Sequence, residues 1–459
     1  MALFDILSVN AQSLNAFQKG IDLTNKNINN VYNKDYSREM ALFDELPRYG
    51  VNMAEAHRVF DERYFKRYIT ENQNYNYHQE LSSNLDNLEA MFNDITGAGL
   101  SADINEYFSS INDITNEPEN MAARDSFLVS AQKFTSKLKD LYITLESEKN
   151  GSQLALKNEA KDINRLTSSL AKINKEIKAS SGGNLIPDQE RINTLYNERD
   201  RLVKELSSHI DTKIRYGADG SVDVSSAKGH ALVVGDRNFE LKVESVSEPE
   251  LKTTSSRVTL NGADITNEFT KGTFAAKIEY TNQTVKTMDK LNTFAIEFAK
   301  QNNAIHQQGF NLDDETGLSL YDITGEDGSE HILNLSLAID DARKLAVSSQ
   351  TDSPGNNENF QALYSLKDRE FDNLNQKSFY DYYIEMVGDI ANSKDLHVKM
   401  AQESEAVLTS LDKKLQEISG VNMDEELMNL MQLQNAYQAA AKVINVTDEL
   451  LKTVMGLIR

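Results

Sequence analysis

An apolar residue recurs at every seventh position along the first 31 residues of this chain. One seam of the repeat consists of Leu7, Leu14, Ile21 and Ile28. A second seam lies beside it and consists of Leu3, Asn10, Phe17, Thr24 and Val31. Paired seams with a period of seven are typical of a helix that packs lengthwise along another helix. Because such a helix is marginal in water on its own, the segment is predicted to need a helical partner.

The other end of the chain repeats this design. Its main seam consists of Leu430, Tyr437, Ile444, Leu451 and Ile458. The neighbouring seam consists of Leu433, Ala440, Thr447 and Val454. The chain is therefore predicted to begin and end with a one-sided amphipathic helix.

Periodicity leaves three interpretations of the terminal helices open. They pack against each other and close a helical bundle, they pack against neighbouring subunits, or they lie on a membrane surface. The first two are compatible, because paired terminal helices can also line a polymer. The polar faces carry few lysines and arginines, which argues against a membrane surface.

Proline positions outline the rest of the chain. Proline breaks helix interiors, and none occurs in residues 119–186 or 355–459. Asn422 and Glu425 are predicted to form a capping box before the last helix. Residues 180–183 carry a turn signal, which predicts that the first two long helices form an antiparallel hairpin. Helices are predicted over residues 120–180, 188–206, 284–305, 371–418 and 423–458.

Alternating patterns and hairpin turns replace the helical period from residue 211 to about 280. The clearest turn signal is Asn261-Gly262, and a further strand is predicted at residues 332–335. The predicted fold is mainly α with a β insertion: an elongated bundle of long helices, formed by N- and C-terminal segments, plus a small inserted β domain. The expected divisions are an axial helix (1–35), a helical rod (36–210), the β domain (211–282), a second helical part (283–418) with a loop-rich stretch (307–359), and a C-terminal axial helix (419–459).

Composition argues against several classes of function. The net charge of −23 disfavours nucleic acid and anionic lipid as partners. There is no cysteine, no apolar run long enough to span a membrane, and no N-terminal signal-peptide pattern. Residues 311–322 match a calcium loop poorly and are interpreted as an acidic turn. The histidines lack metal-ligand spacing, so we expect no metal, no cofactor and no enzymatic activity.

Motifs at both ends resemble those of a known protein class. Asn25-Lys26-Asn27-Ile28-Asn29-Asn30, followed by Tyr36-Ser37-Arg38, resembles the N-terminal signature of flagellar axial proteins. Residues 419–426 (Ser-Gly-Val-Asn-Met-Asp-Glu-Glu) and the Gln-Asn-Ala-Tyr-Gln-Ala-Ala-Ala-Lys-Val-Ile block at 434–444 resemble the C-terminal motifs. Interior blocks at 195–203, 229–235 and 291–309 agree in order. The chain thus resembles the flagellar hook-associated protein 1 (hook–filament junction) family.

The chain also departs from the family pattern. Lys34-Asp35 replaces the usual Pro-Gly, which predicts a looser loop, and Asn29 replaces an alanine near the packing face of the first helix. The short β region suggests that the outer domain of longer relatives is missing or reduced.

The resemblance implies a secreted structural subunit at the hook–filament junction, exported unfolded by the flagellar type III apparatus after a transient cytoplasmic stage. Implied partners are further copies in a ring-like homo-oligomer, hook protein, the second hook-associated junction protein, and a cytoplasmic export chaperone on the last helix. Alternatives are another axial protein (hook protein or the second junction protein) or a non-flagellar coiled-coil interaction protein. The residues expected to carry axial assembly are Leu3, Leu7, Leu14, Phe17, Ile21, Ile28, Leu430, Tyr437, Ile444, Leu451 and Ile458.

Overall fold

The computed structural model describes residues 2–46, 50–92, 99–181, 189–248 and 253–457. Its helices are α1 (Ala2–Asn29), α2 (Glu62–Phe92), α3 (Leu100–Asn116), α4 (Met121–Ser181), α5 (Gln189–His209), α6 (Gly272–His306), α7 (Glu358–Tyr364), α8 (Phe379–Ser419) and α9 (Met423–Leu457). The fold is mainly α with a small sheet-containing insertion, as predicted. None of the helices in these ranges is long and apolar enough to cross a membrane.

The strands are short and form antiparallel sheets. One sheet is a hairpin of β1 (Glu39–Leu46) and β2 (Gly50–Arg58). A four-stranded sheet has the order β3 (Thr212–Tyr216), β4 (Val222–Ser226), β5 (Ala231–Val234) and β6 (Arg237–Asn238). A three-stranded sheet consists of β7 (Leu241–Glu248), β8 (Thr253–Leu260) and β9 (Ala263–Asp264), and β10 (Tyr321–Asp322) forms a small pair with β11 (Ser336–Leu337).

The chain divides into two compact units. Unit 1 comprises residues 1–75, 162–240 and 402–459, and unit 2 comprises residues 76–161 and 241–401. Within unit 1, Asn174 of α4 anchors the four-stranded sheet. Its side-chain amide donates to the carbonyls of Val222 and Gly235, both at 2.8 Å, and accepts from the Val222 N–H at 2.9 Å. Within the described part of the sheet, these backbone groups have no partner on a neighbouring strand, and the Asn174 side chain pairs them instead, because buried backbone groups must be hydrogen-bonded.

The core of unit 2 is aromatic. Tyr107 of α3 lies 5.1 Å from Phe298 of α6, measured between ring centroids, and Phe134 of α4 lies 4.8 Å from the same ring. Phe379, the first residue of α8, closes the cluster at 5.3 Å. The buried Tyr107 hydroxyl donates to Asn302 at 2.6 Å, so the polar end of this ring is satisfied inside the core.

Most predicted helices and turns are confirmed. The first long helix, expected over residues 120–180, is α4 at Met121–Ser181. The Asn261-Gly262 turn joins β8 to β9 with positive φ at both residues, as a type I′ turn requires. The Gly-Gly of the predicted turn at residues 180–183 lies outside the described residues.

The strand predicted at residues 332–335 is wrong. Residues Ile332–Asn334 form a 3-10 turn, in which the His331 ring accepts the Leu333 N–H and Asn292 of α6 accepts the Ile332 N–H at 2.9 Å. These side-chain acceptors hold the backbone in a turn that the apolar pattern does not reveal.

Two predicted helix starts are also wrong. Helix α6 begins at Gly272 rather than residue 284, because its first turns bury Phe274, Ala276 and Tyr280, and tertiary packing outweighs local propensity. Helix α8 begins at Phe379 rather than residue 371, because a 3-10 turn in the intervening segment ends at the left-handed Asn375.

One buried histidine makes unit 2 sensitive to acid. The His306 ring donates from Nδ1 to the Leu318 carbonyl at 2.8 Å, and its Nε2 accepts the Ala346 N–H at 3.0 Å. Burial lowers the pKa of His306 to about 4. The folded state thus prefers neutral imidazole, and its stability is complete above the unfolded pKa of about 6.5 and declines as the pH falls towards 4.

We therefore expect acid to weaken this part of unit 2. Between pH 7 and pH 4, the hydrogen-exchange protection factor of the Ala346 amide should fall by roughly a hundredfold, about 3 kcal/mol. The measurement is amide exchange by mass spectrometry, corrected for the intrinsic pH dependence. The exposed His57→Ala variant should show the same fall. An equal fall in His306→Ala would contradict the assignment to this ring.

Candidate functional site

Helices α1 and α9 pack against each other in antiparallel orientation along unit 1. Near one end of the pair, the Asn27 side chain donates to Glu426. Further along, Gly20 faces Leu433, and Phe4 and Leu451 border one cavity at the other end. The two predicted amphipathic helices are therefore each other's partner within one subunit.

The buried face of α1 consists largely of small and polar residues, namely Ser13, Ala16, Gly20, Leu23, Thr24 and Asn27. Gly20 marks the closest approach. A Cβ atom at this position would lie 3.0 Å from the Phe43 ring on β1 and 3.2 Å from the Leu433 side chain. Only glycine lets both neighbours approach so closely without displacement.

The main seams predicted from the heptads flank this buried face, whereas Thr24, Ala440 and Thr447 of the neighbouring seams are buried. The residues predicted to carry assembly are half-buried wherever the structure describes their side chains: Leu7, Leu14, Phe17, Ile21, Ile28, Leu430, Tyr437, Ile444 and Leu451. Phe17 packs against Phe43, with ring centroids 6.2 Å apart. The side chains of Leu3 and Ile458 lie outside the described residues. The contact between the helices is thus centred on small residues that an apolar pattern cannot reveal.

A polar cluster joins α1, β1 and α9 where the helix pair begins. We define it as Asn27, Tyr36, Arg38, Glu39 and Glu426, of which Arg38 is the least buried. The Asn27 oxygen accepts from the Tyr36 hydroxyl at 2.7 Å and the Glu39 N–H at 3.1 Å. Its amide nitrogen donates to the Glu39 carbonyl at 2.8 Å and to Glu426 Oε2 at 3.1 Å. Every hydrogen-bonding position of the amide is used, so its orientation is fixed.

Charges within the cluster are paired. Arg38 lies 2.8 Å from Glu426 and 2.8 Å from the exposed Glu425, and its backbone N–H donates to the Ser419 carbonyl at the end of α8. Lys26 lies 2.8 Å from the buried carboxylate of Glu39. Pairing is required here, because an isolated buried charge is costly.

Electrostatics also fix the role of Tyr36. Burial raises its pKa well above the usual value, and the neighbouring carboxylates of Glu39 and Glu426 raise it further. The hydroxyl therefore keeps its proton and acts as a hydrogen-bond donor towards Asn27.

Helix α5 supports the cluster from a second side. Asn193 donates to the Glu39 carboxylate at 3.1 Å and to the Ala56 carbonyl on β2 at 2.7 Å. Arg58 of β2 pairs with Asp200 of α5 at 2.8 Å and donates to Asn197. The β1–β2 hairpin is thereby held between α5 and α1.

Several of these contacts involve residues that the sequence marks only as family motifs. The Asn-rich end of α1, Tyr36-Ser37-Arg38, the Glu425-Glu426 pair and the 195–203 block meet in one place. The predicted capping box is formed in part: Asn422 accepts the N–H of Asp424 at 3.0 Å, but Glu425 pairs with Arg38. The sequence does not predict the hairpin that brings these residues together.

A second feature of the helix pair is an apolar stripe on α9 that faces solvent. We define the α9 stripe as Val443, Val446, Leu450 and Val454, whose exposed fractions lie between 41% and 50%. These residues lie on one face, since their spacing of three and four follows the helical period. Within the part of the chain that the structure describes, no group of three acidic, histidine or cysteine side chains could hold a metal ion.

Paired terminal helices, a buried polar cluster at their base and an exposed apolar stripe are the features that define this site. The family model described as the flagellar hook-associated protein FlgK helical domain matches residues 85–321, more than half of the chain. The protein belongs to this family. A second model, the flagellar basal body rod FlgEFG protein C-terminal, matches residues 414–457.

Individual relatives match over almost the full length. The flagellar hook-associated protein 1 of Bacillus subtilis is 24% identical, covering 97% of this chain and 96% of its own. The protein of the same name from Escherichia coli is 22% identical, covering 98% and 99%. The solved structure of the flagellar hook junction protein FlgK from Burkholderia pseudomallei shares the fold, with a TM-score of 0.65 and 13% identity over 77% of this chain and all of that one.

The close approach at Gly20 leads to a prediction. The Gly20→Leu variant should destabilise the packing of α1 on α9 by roughly 1–3 kcal/mol, because the new side chain overlaps Phe43 and Leu433. The rate of limited proteolysis within α1 should rise by about 5- to 160-fold, as expected when cleavage follows the opened population.

The matched control is Gly456→Leu, at a helical glycine of α9 where an added Cβ atom would have no neighbouring atom within 4 Å. It should leave the proteolysis rate unchanged. Adding Leu433→Ala to Gly20→Leu should restore part of the protection. Equal effects of the two glycine substitutions would show that the close approach is not responsible.

Proposed function

We propose that this protein is a structural subunit of the bacterial flagellum that forms the junction between hook and filament. The observation that carries the proposal is the pairing of α1 and α9, which leaves an apolar stripe exposed on a chain related throughout to hook-associated protein 1. The match of residues 414–457 to a rod-protein model supports an axial role for this last segment.

The proposed mechanism is polymerisation through the terminal helices. Copies of the subunit would bury their α9 stripes and the flanking seams against one another, since apolar burial is the main driving force of association. Axial contacts would then be made with hook protein on one side and with the second hook-associated junction protein on the other. The role is structural, and no catalytic step is proposed.

Location and export are part of the proposal. The subunit would pass through the flagellar type III apparatus and act in the extracellular flagellum after a cytoplasmic stage. Before export, a cytoplasmic chaperone would cover the α9 stripe, because an exposed apolar stripe promotes premature association. Immunogold labelling of isolated flagella distinguishes this placement from hook, rod or filament.

Removal of either terminal helix tests the proposed mechanism. Chains that lack residues 1–31 or residues 425–459 should not build a junction on isolated hook–basal structures, because each deletion removes one member of the α1–α9 pair. Electron microscopy of filament growth after addition of the junction and filament proteins provides the measurement. A truncated subunit that still supports filaments would contradict polymerisation through these helices.

A finer test addresses the α9 stripe. The Val446→Asp variant should lower junction formation by about tenfold or more, because it places a charge in an apolar interface. The free subunit should stay folded, since Val446 is 49% exposed. The matched control is Asn445→Asp, the same charge on the adjacent exposed position of α9, and it should assemble normally. Normal assembly of Val446→Asp would exclude the stripe as the interface.

A further inference from the structure

We infer that the polar cluster sets the register between α1 and α9. This inference rests on the proposed function only for its consequence in assembly. The need for such a device follows from the repeats. A seam with a period of seven presents almost the same apolar pattern after a slide of one heptad, so seams alone specify register weakly.

The steric contacts oppose this slide at the close approach. Gly20 faces Leu433 in the observed register, and a shift of seven residues would bring Ala440 opposite Gly20. The same shift would bring Asn27 to the place of Gly20, beside Phe43 and Leu433, where only a glycine at position 27 would fit without displacement. The shift corresponds to about 10 Å along the helix axis, at 1.5 Å per residue.

The chain connection permits the slide. The segment between α1 and β1 comprises residues 30–38, and nine residues can extend to about 30 Å. The connection is therefore long enough for a movement of one heptad, which would also break the bond from the Val51 N–H of β2 to the Ser13 hydroxyl.

The polar cluster opposes this movement because its bonds are directional. Asn27 lies in the last turn of α1 and bonds simultaneously to Glu39 on β1 and to Glu426 in the first turns of α9. A slide would place Leu433 beside Asn27 and remove the carboxylate from its amide. Leaving these buried groups unpaired is costly, and several bonds would break together.

Register matters for assembly because it determines which face the pair presents. The α9 stripe is in place relative to α1 only in one register. A shifted pair would present the same helices with Phe4 and Leu451 displaced from each other. A single buried polar residue is known to specify register in coiled coils at some cost in stability, and Asn27 has that position here.

The test uses the absence of cysteine from the natural sequence. Spin labels are attached to Ser8→Cys on α1 and Gln432→Cys on α9, both exposed positions, and their separation is measured by double electron–electron resonance. The parent chain should give one narrow distance. The Asn27→Gly/Glu426→Leu variant keeps a glycine beside Phe43 and Leu433 after the slide. It should give a second, longer distance, because the slide adds about 10 Å to the axial separation of the labels, with unchanged helical circular dichroism.

The matched control is Asn29→Leu, an exposed asparagine on the same helix, which should keep the single distance. Should the double variant lose its helical signal, Asn27→Gly, which removes only one partner, is measured in its place. One unchanged distance in a folded variant without the Asn27 amide overturns the inference.

The assembly outcome separates this inference from the proposed function. A two-register variant should fail to build the junction while the parent chain succeeds. If the parent itself builds no junction, the proposed function fails, whereas the distance measurement still decides the register. If the variant keeps one register and assembles, the inference fails and the proposed function stands.

Discussion

The antiparallel contact between α1 and α9 joins the two ends of the chain. Asn27 and Glu426 are separated by 399 positions, yet they share a buried hydrogen bond. Loop-closure entropy rises only slowly with length, so a compact set of well-formed contacts can hold so large a loop closed. Unit 1 is assembled from three separate segments. The contact therefore depends on α5 and the β1–β2 hairpin, which place Glu39 where both terminal helices can reach it.

Local features of this fold are accessible from sequence because they depend on short-range rules. The absence of proline between residues 119 and 186 allows a single helix, and α4 is 61 residues long. Asn261-Gly262 predicts a turn because few other pairs tolerate two positive φ values. The 332–335 strand fails for the opposite reason. Its conformation depends on Asn292, forty positions away on α6, and no local pattern contains that information.

The candidate site likewise combines features that the sequence predicts with features that only the folded structure reveals. The heptads identify both helices, but the buried face of α1 includes Ser13, Ala16 and Gly20, small residues that lie outside both predicted seams. The motif residues indicate a family, while their physical role requires the hairpin to bring Arg38 and Glu39 beside Asn27 and Glu426. Whether the seam residues carry assembly remains a prediction, and their half-buried position leaves part of each available to a neighbour.

The helix pair combines two kinds of interaction at its two ends. At the base, the polar cluster demands particular distances and angles, because a buried amide must have each of its bonds satisfied. Towards the other end, Val446 and Leu450 expose apolar surface, which attracts without directional preference. A subunit that must meet different neighbours benefits from an adaptable contact, but adaptability is useful only if the helices present it in a fixed position. The polar cluster is proposed to supply that position. Its directional bonds fix the two helices relative to each other, so the α9 stripe can accept different neighbours while its own position stays constant.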